Sequence, residues 1–318
     1  GNARQRLRDD DRGRAGARGH DRHREPVDDG SALEEALGAD QPVFVRYFLW
    51  LRQFFWVEPA YVLDHWFGTT LADGEQRILS WQSRSPVFTI IGQRLPQTLT
   101  VIGTAYLVGI LIAVPIGIYS AYRQYSWFDQ AGTLFAMIGF SVPTFFSGTL
   151  IIIVFAVWLG WFPTKYDTQL VVSDWDSFVK QIKQMAMPVM TLGLANAAAI
   201  SRYMRSSMLD NLGMDYVRTA RAKGMSERTV VLKHVLRNSL IPVVTVIALG
   251  IPAIFGGAII TENLFGVNGI GAALIGAIHG NDLPMVQTLA FIFAVLIVLF
   301  NLIADILYGL LDPRIRYD

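Results

Sequence analysis

Apolar stretches alternate with short polar ones from about residue 95 to the end of the chain. A helix needs about 20 predominantly apolar residues to cross the hydrocarbon core of a bilayer. The sequence therefore predicts an all-α integral membrane protein, a helical bundle of five visible spans. These predicted spans lie at 97–119, 131–159, 188–200, 240–260 and 284–310.

The first span contains residues that let helices approach closely. Gly103, Gly109 and Gly117 leave room for a neighbouring backbone, and Pro115 is expected to kink the helix. Pro143 lies in the first half of the second span, and Pro188 marks the start of the third. Small residues dominate the third span, which suits tight packing or the lining of a pathway.

The stretch 41–67 is rich in aromatic residues but is interrupted by Arg46, Arg52 and Glu58. It has no uncharged run long enough to span a bilayer. A helix that lies in the membrane interface, or packs across other helices, fits this pattern better. Residues 68–86 are polar and rich in turn formers, and we expect a loop there.

Composition supports a membrane protein. Apolar residues make up 52% of the chain and charged residues only 17%, against about 45–50% and about 25% in soluble proteins. The sequence contains no cysteine, which excludes disulfides, thiol nucleophiles and cysteine-ligated metals. This agrees with a bacterial inner (plasma) membrane.

The distribution of positive charge predicts the topology. The 202–237 loop is the most basic, so it is expected to be cytoplasmic. The turn at 123–129 and the C-terminus then also lie in the cytoplasm, and the loops 160–187 and 261–283 lie outside. The second of these loops begins with a re-entrant or polar turn at 261–271. Five spans with this orientation place the Arg-rich N-terminus outside, which the same rule disfavours. A sixth span before residue 41 would remove the conflict.

The basic loop contains an amphipathic segment at 215–242, whose Gly224 is placed to end a helix and turn the chain. The run from Tyr216 to Gly224, with 236–242 after it, resembles the cytoplasmic signature loop of ABC importer permeases. The similarity is to the dipeptide/oligopeptide/nickel branch, because Arg218-Thr219-Ala220 replaces the general Glu-Ala-Ala. Stretches in the same order that also resemble this family are 37–42, 67–70, 205–209, 261–265, 269–271 and 305–314.

The resemblance implies a permease subunit that forms a translocation path for peptides and performs no bond chemistry itself. Its implied partners are a second homologous permease, two ATPase subunits, an extracytoplasmic substrate-binding protein and the lipid bilayer. Nickel, glutathione and haem are alternative substrates in the family. No cofactor, metal or nucleic acid is expected. The implied divisions of the chain are a disordered N-terminus at 1–35, an extracytoplasmic or interfacial segment at 36–94 and the transport domain at 95–318.

The resemblance also assigns candidate site residues. A short cytoplasmic helix pair of such importers docks on an ATPase subunit, and small or basic residues suit that contact. The residues expected to dock are Tyr216, Arg218, Thr219, Ala220, Arg221, Ala222, Lys223, Gly224 and Arg228. Those expected to line the path or contact the binding protein are Asn196, Glu262 and Asn263.

The first thirty residues depart from the family, which begins with a transmembrane helix. Here Arg alternates with Asp, Gly, Ala and His without hydrophobic periodicity, so disorder is expected. Interspersed Asp residues offset the Arg and weaken the alternative of a basic arm for nucleic acid or lipid. Our hypothesis is a mis-framed, mis-annotated or artificial start, which sequencing of the parent gene would test.

Other function classes have weaker support. There is no Gly-x-x-x-x-Gly-Lys-Ser/Thr run for ATP phosphates, and the Gly-rich 266–271 follows no strand. His65, His234 and His279 are isolated and lack metal-ligand spacing. An ion-coupled transporter or channel, with Asp305 and Glu262 as coupling groups, is the main alternative. For Asp305 itself, which lies near the cytoplasmic end of its span, pairing with a basic residue of another helix is the favoured interpretation.

Overall fold

The computed structural model describes residues 42–256 and 259–311. They form two compact units, the first ending at Ile78 and the second beginning at Leu79. The predictions for 1–35, and the family-like ending at 312–314, lie outside the described residues. Helices dominate both units, which confirms the all-α fold.

The first unit is built on one helix, α1. It comprises Val43–Arg52, a π-helical turn at Gln53–Val57 and Glu58–Phe67. The helix expected in the aromatic stretch is therefore present. The loop that follows, as predicted, is held to α1 by the Arg77 guanidinium, which lies 2.6 Å from the buried carboxylate of Glu58.

The second unit contains nine helices among its described residues. In chain order they are α2 (Val87–Tyr122), α3 (Trp127–Ser141), α4 (Thr144–Trp158), α5 (Trp175–Leu212), α6 (Asp215–Ala222), α7 (227–256), α8 (Ile259–Phe265), α9 (Ile270–His279) and α10 (Leu283–Leu311). α7 begins with a helical turn at Glu227–Thr229 and a π-helical segment at Val230–Val235, and continues through Leu236–Gly256.

Three of these helices, α2, α7 and α10, are long and apolar enough to cross a membrane. The pair α3 and α4 bends by 106° and the pair α8 and α9 by 90°, so the described residues hold three to five candidate spans. The first and fifth predicted spans fall in α2 and α10. Most of the fourth falls in α7, and its last two residues belong to α8. The second corresponds to the bent pair, which breaks at Pro143, and the third lies inside α5.

Two predicted helix starts were wrong because proline was taken as a boundary. α2 begins at Val87 and contains Pro96, and α5 begins at Trp175 and contains Pro188. A proline removes one hydrogen bond but is tolerated in a helix that its neighbours hold in place. The start of α5 is set by a capping box between Asp174 and Ser177.

The sequence indicated a re-entrant or polar turn at 261–271 within a loop at 261–283. The pair α8 and α9, bent by 90°, agrees with the re-entrant alternative, whereas the loop over 261–283 was wrong. Most of this region is helical, in α8 and α9, and the turn between these helices covers only 266–269. Its polar residues had suggested a loop. The structure explains them differently, because Glu262 and Thr261 point inwards and are completely buried.

Glycines allow α2 and α5 to pack with their backbones close together. A Cβ atom on Gly109 would lie 2.9 Å from the carbonyl oxygen of Gly193, and one on Gly117 would lie 2.6 Å from the Cβ of Met204. Both separations are shorter than van der Waals contact. The close approach predicted for these two glycines is confirmed, whereas Gly103 faces open space.

Candidate functional site

The short helix α6 has one face in the core of the chain. Val217 and Ala220 are buried and belong to one hydrophobic cluster with Met204 and Met208 of α5 and with Val230 of α7. Burial of such side chains is the main favourable term in helix packing. α6 is therefore anchored to the ends of two long helices.

The other face of α6 and the turn after it are exposed. We call this face the coupling surface. It is mostly positively charged, and its exposed residues are Asp215, Arg218, Thr219, Arg221, Ala222, Lys223, Gly224 and Arg228. Within it, the Arg218 guanidinium lies 3.4 Å from the Asp215 carboxylate, but both side chains are largely solvated. A pair of this kind contributes little stability, so these charges remain available to a partner.

Gly224 ends α6 in a hydrogen-bonded turn. Its φ of +75° is left-handed, a conformation that glycine adopts without strain. The Met225 N–H donates to the Ala220 carbonyl at 3.4 Å, and the Gly224 N–H donates to the Arg221 carbonyl at 3.0 Å. These two bonds form a Schellman motif, with Met225 and Ala220 in one hydrophobic cluster. The turn predicted at Gly224 is confirmed.

A salt bridge closes the turn from outside. Two nitrogens of Arg221 donate to the two carboxylate oxygens of Glu227, at 2.7 and 3.1 Å. The carboxylate raises the pKa of Arg221 above its ordinary value, chiefly through this hydrogen bonding. Ser226 caps the start of α7 by accepting from the Thr229 N–H. The turn therefore joins α6 to α7 in a defined geometry.

Two residues predicted to dock on a partner instead face inwards. Ala220 is only 5% exposed and lies in the core. Tyr216 is half-buried, and its hydroxyl donates to the Asn211 side chain at 2.7 Å, which closes the link between α5 and α6. Both residues support the coupling surface from its buried side, while the other predicted docking residues lie on that surface.

Hydrogen bonds between buried serines join α5 to α7 beside the anchored face of α6. The Ser207 hydroxyl donates to the Ser239 carbonyl at 2.9 Å, and the Ser239 hydroxyl donates to the Ser207 carbonyl at 3.1 Å. Reciprocal bonds of this kind satisfy polar groups that burial would otherwise leave without partners. They hold together the two helices on which α6 rests.

A buried ion pair links α2, α3 and α5. Two nitrogens of Arg205 donate to the two oxygens of Asp129, at 2.6 and 2.8 Å. Asp129 also accepts from the Ser120 hydroxyl and from the Tyr125 N–H at 2.9 Å. We had placed Asp129 and Arg205 on the same membrane face but had not paired them. The sequence signal that could have predicted this pair is the presence of opposite charges at the ends of two predicted spans.

Glu262 is fully buried, and its carboxylate joins three helices. One oxygen accepts from the Thr98 hydroxyl of α2 at 2.7 Å, and the other accepts from the Ala272 N–H of α9 at 2.9 Å. The Thr98 oxygen in turn accepts from the Ile270 N–H at 2.8 Å. Glu262, which we expected near substrate or a delivering protein, therefore holds the bend between α8 and α9.

The remaining candidates are spread over the second unit. Asn196 is half-buried on α5, where its Cβ faces Gly109 of α2. Asn263 is exposed, and its amide donates to the Ile259 carbonyl at 2.7 Å. Asp305 is exposed on α10, and the part of the chain that the structure describes offers it no ion-pair partner. No group of three metal-ligating side chains occurs within 42–256 and 259–311.

Fold and site together define a multi-pass helical membrane protein with an exposed basic turn anchored between two long helices. The model of the family "binding-protein-dependent transport system inner membrane component" matches residues 113–317. The chain belongs to this family, and it is a permease subunit of an ABC-type importer. The expected family is thereby confirmed.

Curated relatives match over most of their length. The oligopeptide transport system permease protein AppB of Bacillus subtilis (strain 168) is 37% identical over 283 residues, covering 89% of this chain and 84% of that protein. The glutathione transport system permease protein GsiC of Salmonella choleraesuis (strain SC-B67) is 36% identical over 285 residues, covering 90% and 83%.

Solved structures share the fold at low sequence identity. Inward-facing structures of the MetNI methionine ABC transporter include a chain with a TM-score of 0.53 and 18% identity, covering 72% of this chain and 99% of that one. An amino acid ABC transporter crystallised with histidines gives a TM-score of 0.51 at 12% identity, covering 70% and 94%. These likenesses show the fold alone.

Proposed function

We propose that this permease forms part of a path for short peptides. The proposal is supported by the names of two relatives, one an oligopeptide permease and the other a permease for glutathione, which is itself a short peptide. A second homologous permease would complete the path. An extracytoplasmic binding protein would deliver the peptide, and two ATPase subunits would supply the energy through ATP binding and hydrolysis.

We further propose an orientation with the 202–237 loop and the C-terminus in the cytoplasm. It is supported by the excess of Lys and Arg in that loop. Residues 36–94 then lie outside, and 95–318 form the transport domain, with α2 running from one into the other. The membrane would be the inner membrane of a bacterium.

The coupling surface is the proposed docking site for an ATPase subunit. One observation carries this proposal: α6 exposes a basic face while its opposite face is anchored in the cluster that joins α5 to α7. A push on the exposed face would therefore move two long helices. The basic side chains suit an acidic rim on the partner, because complementary charges favour association.

The transport class has a direct test. Vesicles that contain the assembled importer should take up labelled dipeptide only with binding protein and ATP, and vanadate should abolish the uptake. Uptake that an ion gradient drives without the ATPase subunits would contradict the proposal and favour an ion-coupled transporter. The structure does not support Glu262 as a coupling group for that alternative, because its two carboxylate oxygens accept hydrogen bonds from Thr98 and Ala272.

Cysteine cross-linking tests the docking site. An introduced cysteine would be the permease's reactive thiol, because its sequence contains no cysteine of its own. Ala222→Cys places a thiol on the coupling surface, and a short bifunctional reagent should join it to an ATPase subunit with a suitably placed thiol. Ala220→Cys is the matched control, since that side chain is only 5% exposed and should not react. Equal yields from both variants, or none from Ala222→Cys, would contradict this docking geometry.

A further inference from the structure

A polar cavity of about 400 Å³ opens in the second unit, far from the coupling surface. Its walls are the turn at 80–85, the first turns of α2, and α9. Small residues of α9 line one side. The rest is lined by serine, threonine, glutamine and asparagine side chains, by one arginine and one aspartate, and by Ile90 and Met285. The lining therefore combines the start of α2 with α9 and the turn before α2.

The length of α2 puts this cavity at the opposite end of the bundle. Arg94 lines the cavity, and Ser120, which bonds to Asp129 beside Arg205, lies 26 residues later on the same helix. At 1.5 Å per residue the two positions are about 40 Å apart. The hydrocarbon core of a bilayer is about 30 Å thick. If the coupling surface is cytoplasmic, the cavity is outside.

Two charged residues line the cavity, and one of them is fully engaged. The Asp282 carboxylate accepts from the Ser80 hydroxyl, from the Trp81 N–H at 3.0 Å and from the Met285 N–H at 3.3 Å. A weaker bond comes from the Gln82 N–H at 3.4 Å. Asp282 therefore builds the wall of the cavity and keeps the 80–85 turn in place.

Arg94 is the other charged residue, and it is open to a ligand. Its side chain is half-buried, yet within 42–256 and 259–311 it has no hydrogen-bond acceptor or ion-pair partner. It interacts electrostatically with Glu262, whose two oxygens are already held by Thr98 and Ala272. A guanidinium group carries five N–H donors in a planar fork that matches a carboxylate.

We propose that this cavity receives an acidic side chain from the substrate-binding protein, with Arg94 as its bidentate partner. Ligand pockets range from about 300 to 1,000 Å³, and a cavity near the lower end suits one inserted side chain better than an oligopeptide. The inference rests on the proposed function, since it assumes that a binding protein docks outside.

The experiment uses the complete importer in lipid discs and measures ATPase stimulation by increasing amounts of peptide-loaded binding protein. Arg94→Gln should raise the half-maximal concentration of binding protein by about tenfold or more, because a partly buried charge-assisted pair is lost. Arg84→Gln is the matched control. Arg84 lies in the same 80–85 turn, but its exposed side chain does not line the cavity, so we expect a change of at most about twofold.

Two further variants keep the test informative. Arg94→Lys retains the charge without the planar fork, so it should give an intermediate rise even if Arg94→Gln does not assemble. Arg94→Glu should bind poorly, and one acidic residue on the binding protein, when replaced by lysine, should restore binding. That rescue would identify the inserted side chain.

The outcomes separate the two proposals. Arg94→Gln or Arg94→Lys with a wild-type half-maximal concentration would overturn the cavity assignment alone. A change only in the peptide concentration needed at saturating binding protein would assign the carboxylate to the peptide, and would also overturn it. A wild-type importer that does not respond to any binding protein would overturn the proposed function as well.

Discussion

Arg205→Ala lowers the free energy of unfolding by about 3–5 kcal/mol, the usual loss when one partner of a buried ion pair is removed. The Asp129 carboxylate is only 3% exposed, and two of its hydrogen bonds come from Arg205. Without the guanidinium group, a buried negative charge keeps only the Ser120 hydroxyl and the Tyr125 N–H. Unfolding in mixed detergent micelles, followed by tryptophan fluorescence, measures the change.

Two variants show whether the buried charge is the cause. Adding Asp129→Asn to Arg205→Ala should recover part of the loss, because asparagine is neutral. Its carbonyl oxygen can accept from the Tyr125 N–H, and its NH2 group can donate to the Ser120 hydroxyl oxygen. Lys180→Ala breaks an ion pair between Lys180 and Asp176, whose side chains are 63% and 75% exposed, respectively. It should lower the free energy of unfolding by less than about 1 kcal/mol. An Arg205→Ala effect as small as that of Lys180→Ala would contradict the structural role of the pair.

Gly224→Val uncouples ATP hydrolysis from peptide uptake while the helices remain folded. A Cβ atom at this position would meet nothing within 4 Å, so the effect comes from the backbone and not from crowding. A left-handed residue with a side chain costs about 1–2 kcal/mol, and more for a β-branched one. Free energies of that size change a population about 5- to 30-fold. The Schellman turn that shapes the coupling surface would then be poorly populated.

Gly224→Asn separates backbone conformation from side-chain size. Asparagine adds a larger polar side chain but tolerates the left-handed region, so this variant should keep most of the coupling. Peptide transported per ATP hydrolysed is the quantity to compare, with circular dichroism of each variant as the control for folding. Normal coupling in Gly224→Val, or equal loss in both variants, would mean that the turn is not the element that transmits the movement.

Local features of the sequence were sufficient for the helical architecture and for the turn at Gly224. Long apolar runs are stable as helices inside the bilayer, and a glycine after an amphipathic run commonly ends a helix. Proline was a poor guide, because Pro96 and Pro188 lie inside helices. Packing against neighbouring helices can hold such a helix intact, and that packing is not a local property.

The sequence by itself determined most of the long apolar helices, the family and the basic turn, since each depends on composition or on neighbouring residues. The tertiary structure decided which side chains of that turn face outwards, turning Ala220 inwards and leaving Ala222 exposed. It also paired Asp129 with Arg205 across 76 positions and Thr98 with Glu262 across 164. Burial of a charge is stable only with a partner, and the partner is chosen by how the helices pack.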